Sequence, residues 1–349
     1  MMGQAGALPR TQALETAASG PPMVDVRRAI FVVRACGERT ERAMIGLLRS
    51  QIADLAAEVP GAREIDRVQV VRERPFVEAV RATMRIGADA AGESEAEWVI
   101  ALDADVLIAR RAVRTLLEMA GAARPETFVV TGLVLCRFFG GMCFRGVHVY
   151  RRSLMREAES LVGAGVDLGG LKPESAVCHA MQERGHPFEG HPRVIGVHDY
   201  EQWLRHVYLK VRMRARREMD AAGGGDINAF RAGIAARARE DPESRVALWG
   251  IDDGVRDAAT GAFGAGYDWC AEWPEFADRM RSQGLKERPT MDVHGAAGYA
   301  ARVLAAHDYA ADMRTPAWIR ERLEFAHGWS AVRGHIEAES QDGAHSPTA

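Results

Sequence analysis

The sequence predicts an α/β layered domain built on a mainly parallel sheet, followed by a helical C-terminal extension. Three observations lead there. Short apolar runs rich in Val and Ile alternate with helically spaced segments from Ala29 to Val197. One such run, Trp98-Val99-Ile100-Ala101-Leu102, meets two carboxylates, Asp103 and Asp105, before Val106-Leu107-Ile108. Beyond about residue 200 strand-like runs cease and helical spacing takes over. Strands and helices in alternation imply a sheet covered by helices.

The elements follow in order. Residues 1–24 are rich in Ala, Gly, Pro and Thr without periodicity and read as a disordered leader. Ala29–Val33 is the first strand, and the polar turn Arg34–Thr40 follows it. Met44, Leu47, Leu48, Ile52 and Leu55 then mark one face of a helix. Val68–Val71 is a second strand, and a helix beginning near Pro75 carries Val77, Val80, Met84 and Ile86. The loop 92–97 leads into the strand that ends at the acidic pair. A helix over 109–120, a strand over 128–135, a turn at Gly140-Gly141 and a strand over 144–150 come next. Residues 173–184 are helical, and Pro192–Val197 forms a last strand before His198-Asp199. The rest is helical, broken at Gly223–Gly225, Pro242, Pro274 and Pro289, and a disordered tail occupies 339–349.

Composition narrows the classes. The chain has 349 residues, 47% hydrophobic and 27% charged, which suits a globular protein with a large core. A formal net charge of −3 gives no sign of a nucleic-acid partner. The positive charge is almost all Arg; Lys occurs only at Lys172, Lys210 and Lys286. The five cysteines lack CxxC spacing, so neither a disulfide scaffold nor a structural zinc site is expected. No signal-peptide h-region or membrane-spanning run is present, and the expected location is cytoplasmic.

Asp103 and Asp105 are the strongest chemical signal. Carboxylates are costly inside a buried strand, so a pair at its end belongs at the sheet's rim. Paired acidic oxygens suit a hard divalent cation such as Mn²⁺ or Mg²⁺. The order strand, polar turn, helix, then strand, helix, loop and a strand ending in Asp103-x-Asp105 resembles the GT-A glycosyltransferases, family-2-like members above all, over roughly residues 27–205. That resemblance implies a metal-dependent enzyme moving a sugar from a UDP- or GDP-sugar donor to an acceptor hydroxyl, with inversion. It implies a catalytic domain over 25–205 and a helical extension over 206–338. In that family the Asp-x-Asp motif holds the cation and touches the donor's ribose or diphosphate, so Asp103 belongs to the donor site as well as to the metal.

Further candidates follow from the same comparison. His198 closes the apolar segment Val194–Val197, and a neutral imidazole is a good partner for Mn²⁺. The alternative is a packed histidine at a helix start, with Asp199 as N-cap. Glu174 opens the helix begun by Pro173, where the helix dipole favours an acid. The resemblance implies a general base there, although Ser175 takes the place of the second acid that such enzymes carry. Arg34, Glu38 and Arg39 sit in the turn after the first strand, expected near the nucleobase. Arg81 and Arg85 lie on the helix before the acidic strand, expected to face the nucleotide. His148, His179, His186 and His191 read as structural or surface residues.

Residues 203–217 form an amphipathic helix. Trp203, Leu204, Val207, Tyr208, Val211 and Ala215 lie on one side, flanked by Arg205, Lys210, Arg212, Arg214, Arg216 and Arg217. The plain reading is a core-packed helix with a solvated basic face; the others are a cradle for a diphosphate and peripheral contact with the membrane's inner face. Two rivals to the transferase stand. Val99–Asp105 is similar to the first motif of haloacid-dehalogenase-like phosphatases, but lacks the Gly-Thr that follows it there. A catalytically inactive GT-A-like binding module is the other.

Overall fold

The computed structural model describes residues 25–58, 68–89, 96–138, 141–163, 173–220, 227–260, 274–296 and 298–307. The predicted leader, the tail, the loop over 92–95 and the Gly223–Gly225 break lie outside them, as does the part of the predicted extension beyond residue 307.

Strand β1 (Ala29–Arg34) is buried along its whole length. Its alternation feeds two cores, as a pleated strand requires. Ala29, Phe31 and Val33 join Met44, Leu48 and Ile52 of helix α1 (Glu41–Ala57). Ile30 and Val32 join Val80 and Met84 of helix α2 (Phe76–Asp89). Strand β3 (Trp98–Asp103) repeats the pattern, with Trp98, Ile100 and Leu102 in the first core and Val99 and Ala101 in the second. Both neighbours of β1, namely β2 (Val68–Val71) and β3, run parallel to it.

Past β3 the prediction of a mainly parallel sheet fails. Strand β4 (Val106–Ile108), β5 (Val129–Cys136), β6 (Met142–Cys143), β7 (Val147–Arg151) and β8 (Phe188–His198) complete one mixed sheet of eight strands in the order β2-β1-β3-β7-β5-β8-β4, with β6 beside β5. β7 is antiparallel to both β3 and β5, and β4 is antiparallel to β8; only β5 and β8 return to parallel. For β5 and β7 the cause is connection length. The chain returns from β5 to β7 within residues 137–146, and a parallel crossover needs about a dozen residues or more.

The acidic pair marks a topological step. The strand predicted to end at the pair is β3, and beyond Ala104 and Asp105 the apolar residues Val106–Ile108 form a separate strand, β4. Those two residues carry the chain from the middle of the strand order to its far edge. Only a curled sheet allows that. Helices α3 (Ala112–Ala122), α4 (Met155–Gly163) and α5 (Pro173–Glu183) flank it, and the sequence reading missed α4. Met155, Ala158, Leu161 and Val162 of α4 do carry helical spacing, and they pack into the second core with Val177 and Met181 of α5.

The later helices are α6 (Leu204–Asp220), α7 (Ile227–Ala235), α8 (Pro242–Thr260), α9 (Pro274–Ser282), α10 (Val293–Ala296) and α11 (Tyr299–Ala306). Val207, Val211, Val246, Trp249 and Leu304 share the first core with Phe31, Leu102 and Val197, so these helices build on the sheet directly. Among the described residues no helix is long and apolar enough to cross a membrane. α6 and α8 cross closely where Gly250 and Gly254 face α6: a Cβ on Gly250 would stand 2.5 Å from the Tyr208 carbonyl oxygen. Tyr208 Oη donates to Asp253 at 2.7 Å, and Arg212 binds Asp257 through Nε at 2.6 Å and Nη2 at 2.9 Å.

That crossing yields a prediction. Gly254→Ala would set a Cβ against the Arg212 carbonyl oxygen and 3.0 Å from Ala215 Cβ. Helix propensity favours Ala by about 1 kcal/mol, whereas overpacking against backbone costs about 1–3 kcal/mol. The melting temperature should therefore fall in thermal unfolding. An equal or higher value would show that the helices do not cross this tightly.

Candidate active site

The Asp103–Asp105 step is held by its backbone. Asp103 N donates to Gly146 O at 2.8 Å, and Ala104 N to Arg34 O at 2.9 Å. Thr40 precedes α1 but makes no capping bond; its hydroxyl donates to Ala104 O at 2.8 Å instead. Asp199 N donates to Asp105 O at 3.2 Å. Antiparallel pairing sets His198 opposite Val106, which brings the imidazole to Asp105. Gly146 adopts φ +66°, and a side chain there would crowd Val106, Asp103 and His198. Asp199 and Glu201 also have positive φ, at 64° and 57°. Such backbone is uncommon for residues with a side chain and collects at functional sites.

Charges meet at this step. His198 Nε2 lies 3.4 Å from Asp105 Oδ1, and Nδ1 of the same ring lies 3.2 Å from Asp199 Oδ2. Lys210, reaching in from α6, binds both Asp105 Oδ2 and Asp199 Oδ1. Burial pushes against the charged form of Asp105, but Lys210 and His198 outweigh it and hold the carboxyl well below the usual carboxylate range. Burial likewise disfavours the His198 cation, and Asp199 and Asp105 overcome it, raising the imidazole well above its ordinary value. Asp103 goes the other way. Burial pushes it up to about 7 against the pull of Arg34, and Glu174 and Asp105 add to the push.

Arg34 is the second centre. It ends β1, is buried, and binds Asp103 Oδ1 through Nη2 at 2.8 Å and Glu174 through Nη1. His148 Nδ1 lies 3.2 Å from Glu174 Oε1, with its ring stacked on Tyr150. Glu174 thus stands next to the acidic step, engaged by a guanidinium. Arg34, expected to face a nucleobase, is instead the clamp between Asp103 and Glu174.

The remaining candidates divide. Glu38 folds back on its own turn, accepting from Cys36 N at 2.7 Å; burial and then Asp105 raise its carboxyl. Arg39 binds Glu201 Oε2 and Pro289 O, both at 2.5 Å, tying the turn after β1 to the loop after His198 and to the later helices. Arg81 pairs with Glu78 on its own helix at 2.5 Å, and Arg85 is exposed. Neither contact joins the acidic cluster. α6 buries Leu204, Val207, Tyr208, Val211 and Ala215 as expected, whereas Trp203 lies just before it, half-buried, and donates Nε1–H to Gly37 O at 2.9 Å. Its cations, however, do not form one solvated face, because Lys210 enters the site and Arg212 pairs with Asp257.

The sequence reading missed Asp199 and His148 as site residues and did not connect Lys210 with Asp105. It also missed His206, about one turn before Lys210, whose imidazole is driven down to about 3 by burial, Lys210 and Arg205.

The residues fit a hard divalent cation. Asp103, Asp105 and His198 each offer one ligand atom, and these lie within 4.8 Å of one another. Asp105 Oδ1 is buried without a hydrogen-bond partner among the described residues. Nε2 of His198 faces it while Nδ1 faces the Asp199 carboxylate, the usual way a ligating imidazole is oriented. Cys136, His198 and Asp199 are also close enough to share an ion, with Cys136 Sγ 3.3 Å from Nδ1. A neutral imidazole has one lone pair and serves one of the two groups. Burial, then Cys143, push the Cys136 thiol well above its ordinary range, against the thiolate a metal needs.

No protein-family model matches this chain, and no curated protein matches it. Solved structures similar to part of it include the following three. One is a glycosyltransferase involved in the glycosylation of the major capsid of PBCV-1, 12% identical over 47% of this chain and 81% of that one, with a TM-score of 0.33. Another is CMP:2-keto-3-deoxy-manno-octonic acid synthetase complexed with CTP, 16% identical over 48% and 91%, with a TM-score of 0.31. The third is mannose-1-phosphate geranyltransferase from Thermus thermophilus, 18% identical over 49% and 73%, with a TM-score of 0.28. Likenesses this slight carry no argument about chemistry; the site must supply it.

A pH dependence follows. A metal on this cluster needs Asp103 ionised and His198 neutral, yet both hold their protons above the ordinary range. Binding of a metal must release protons, so affinity for Mn²⁺ should rise with pH and fall away below about 7, where Asp103 protonates. Calorimetry in buffers of different ionisation enthalpy checks this. An affinity flat from about pH 6 to 8.5, with no proton release, would contradict the two shifts.

Proposed function

We propose that this chain is a metal-dependent glycosyltransferase of the GT-A kind, moving a sugar from a nucleoside-diphosphate donor to an acceptor hydroxyl. One observation carries the reading: Asp103, Asp105 and His198 bring their ligand atoms within 4.8 Å of one another where β3 ends. Two carboxylates and an imidazole suit Mn²⁺ or Mg²⁺ better than a soft ion. When bound, the cation would neutralise charge on the departing diphosphate.

The chain's own residues do the rest. The Asp199 carboxylate, 3.2 Å from His198 Nδ1, pairs with the ring on that side and leaves Nε2 toward Asp105. Arg34 fixes Asp103 at the rim. The acceptor oxygen attacks the anomeric carbon while the bond from that carbon to the diphosphate breaks. Glu174 is the carboxylate proposed to take the acceptor's proton. Glu174 is paired with Arg34, so it equally suits a positioning role for Arg34 and Asp103. A UDP- or GDP-sugar is the proposed donor, and the acceptor is undetermined by these residues.

Two experiments test the reading. UDP and GDP titrated with Mn²⁺ should bind the full chain, and Asp105→Asn should abolish the Mn²⁺-dependent part while the circular dichroism spectrum stays the same. Nucleotide affinity indifferent to both Mn²⁺ and Asp105 would refute the metal site. Phosphate release from simple phosphomonoesters would favour the phosphatase, and nucleotide binding without transfer to any acceptor would favour the binding module. For Glu174→Gln, donor binding should persist while turnover falls by roughly 10²–10⁴-fold if the carboxylate is the base. Near-normal turnover would leave it a positioning residue only.

A further inference from the structure

Lys210 bridges the two carboxylates on which this site depends. One is Asp105, a proposed ligand; the other is Asp199, which orients the proposed ligand His198. The ammonium thus rests on Asp105 Oδ2, the second oxygen of the carboxylate whose Oδ1 faces His198. Both carboxylates are buried. Without a cation there they would repel each other in a medium that screens poorly.

We propose that Lys210 is a resident cation that excludes a lone divalent metal and yields to one that arrives with a diphosphate. This rests on the transferase reading and adds an order of binding to it. A dication held by Asp103, Asp105 and His198 would share the Asp105 carboxylate with the ammonium, and the two cations would repel. A diphosphate bound with the metal changes the balance by adding negative charge beside the cluster. Lys210 then has a new partner within reach of its side chain, and Asp105 keeps only one cation. Residue type supports this role. A lysine carries a compact charge with three rotatable donors on a flexible stem, so it can exchange a carboxylate for a phosphate, whereas arginine holds a fixed planar fork. The chain contains 45 Lys and Arg together, and lysine stands at only three of those positions, one of them here.

The test measures Mn²⁺ binding by electron paramagnetic resonance of the free ion, on the full chain, without substrate turnover. Wild type and Lys210→Arg should take up little Mn²⁺ alone, while Lys210→Met should bind it at least about tenfold tighter, within the usual span of coupling between two ligands. Adding UDP or GDP should tighten Mn²⁺ binding in wild type by about the same factor and in Lys210→Met far less. Equal Mn²⁺ affinity in wild type and Lys210→Met, whether tight or absent, overturns the proposal. If Lys210→Met does not fold, Lys210→Gln removes the charge while keeping a hydrogen-bond donor between the two carboxylates, and gives the same reading. A chain that takes neither UDP nor GDP refutes the transferase, while the comparison with Mn²⁺ alone still decides the role of Lys210.

Discussion

Everything at this site depends on compensating the negative charge at a two-residue step in the chain. Asp103 and Asp105 sit where a curled sheet passes from its third strand to its far edge, and the core closes around them. Each carboxylate is met by a cation from a different part of the fold. Arg34 comes from the neighbouring parallel strand, His198 from the antiparallel partner of β4, and Lys210 from α6. A buried charge left without a partner is costly, so strand register, sheet curl and the docking of α6 all have to be right for the step to exist.

The same requirement links the sheet to the later helices. α6 delivers Lys210 only because α8 lies close against its other side, through Gly250 and Gly254. Arg39 and Glu201 tie the turn after β1 to the loop after His198, and Arg288 joins Glu201 at 2.9 Å. Ion pairs and backbone hydrogen bonds that converge on Ala104 and its neighbours thus preorganise the acidic step.

Much of this was legible in the residues, and the remainder had physical reasons to be hidden. The acidic pair stood out because carboxylates break an apolar run, and His198 because it closes another. Both signals are local. β1, β2 and β3 were legible for the same reason, since alternation within a strand is a local property. The antiparallel strands were not, because strand direction depends on connection length and on which neighbour a strand finds. β4 went unassigned because the three apolar residues between Asp105 and the next helix are too few to read as a strand. Arg34, His148 and Asp199 acquired their roles from pairings made across the curl, which no window of sequence contains. Lys210 left one trace, as a rare lysine in an arginine-rich chain, but only the docked helix connects it with Asp105.

The central claim is that Asp103, Asp105 and His198 hold one divalent cation together with a nucleoside diphosphate. Electron spin echo envelope modulation on Mn²⁺ with UDP or GDP tests it most directly, because a coordinated imidazole nitrogen modulates the echo. The account predicts nitrogen modulation in the wild-type complex and its loss in His198→Gln, with the nucleotide's phosphorus coupling present in the wild type. Mn²⁺ bound with no nitrogen coupling, or with a coupling that survives His198→Gln, would contradict it.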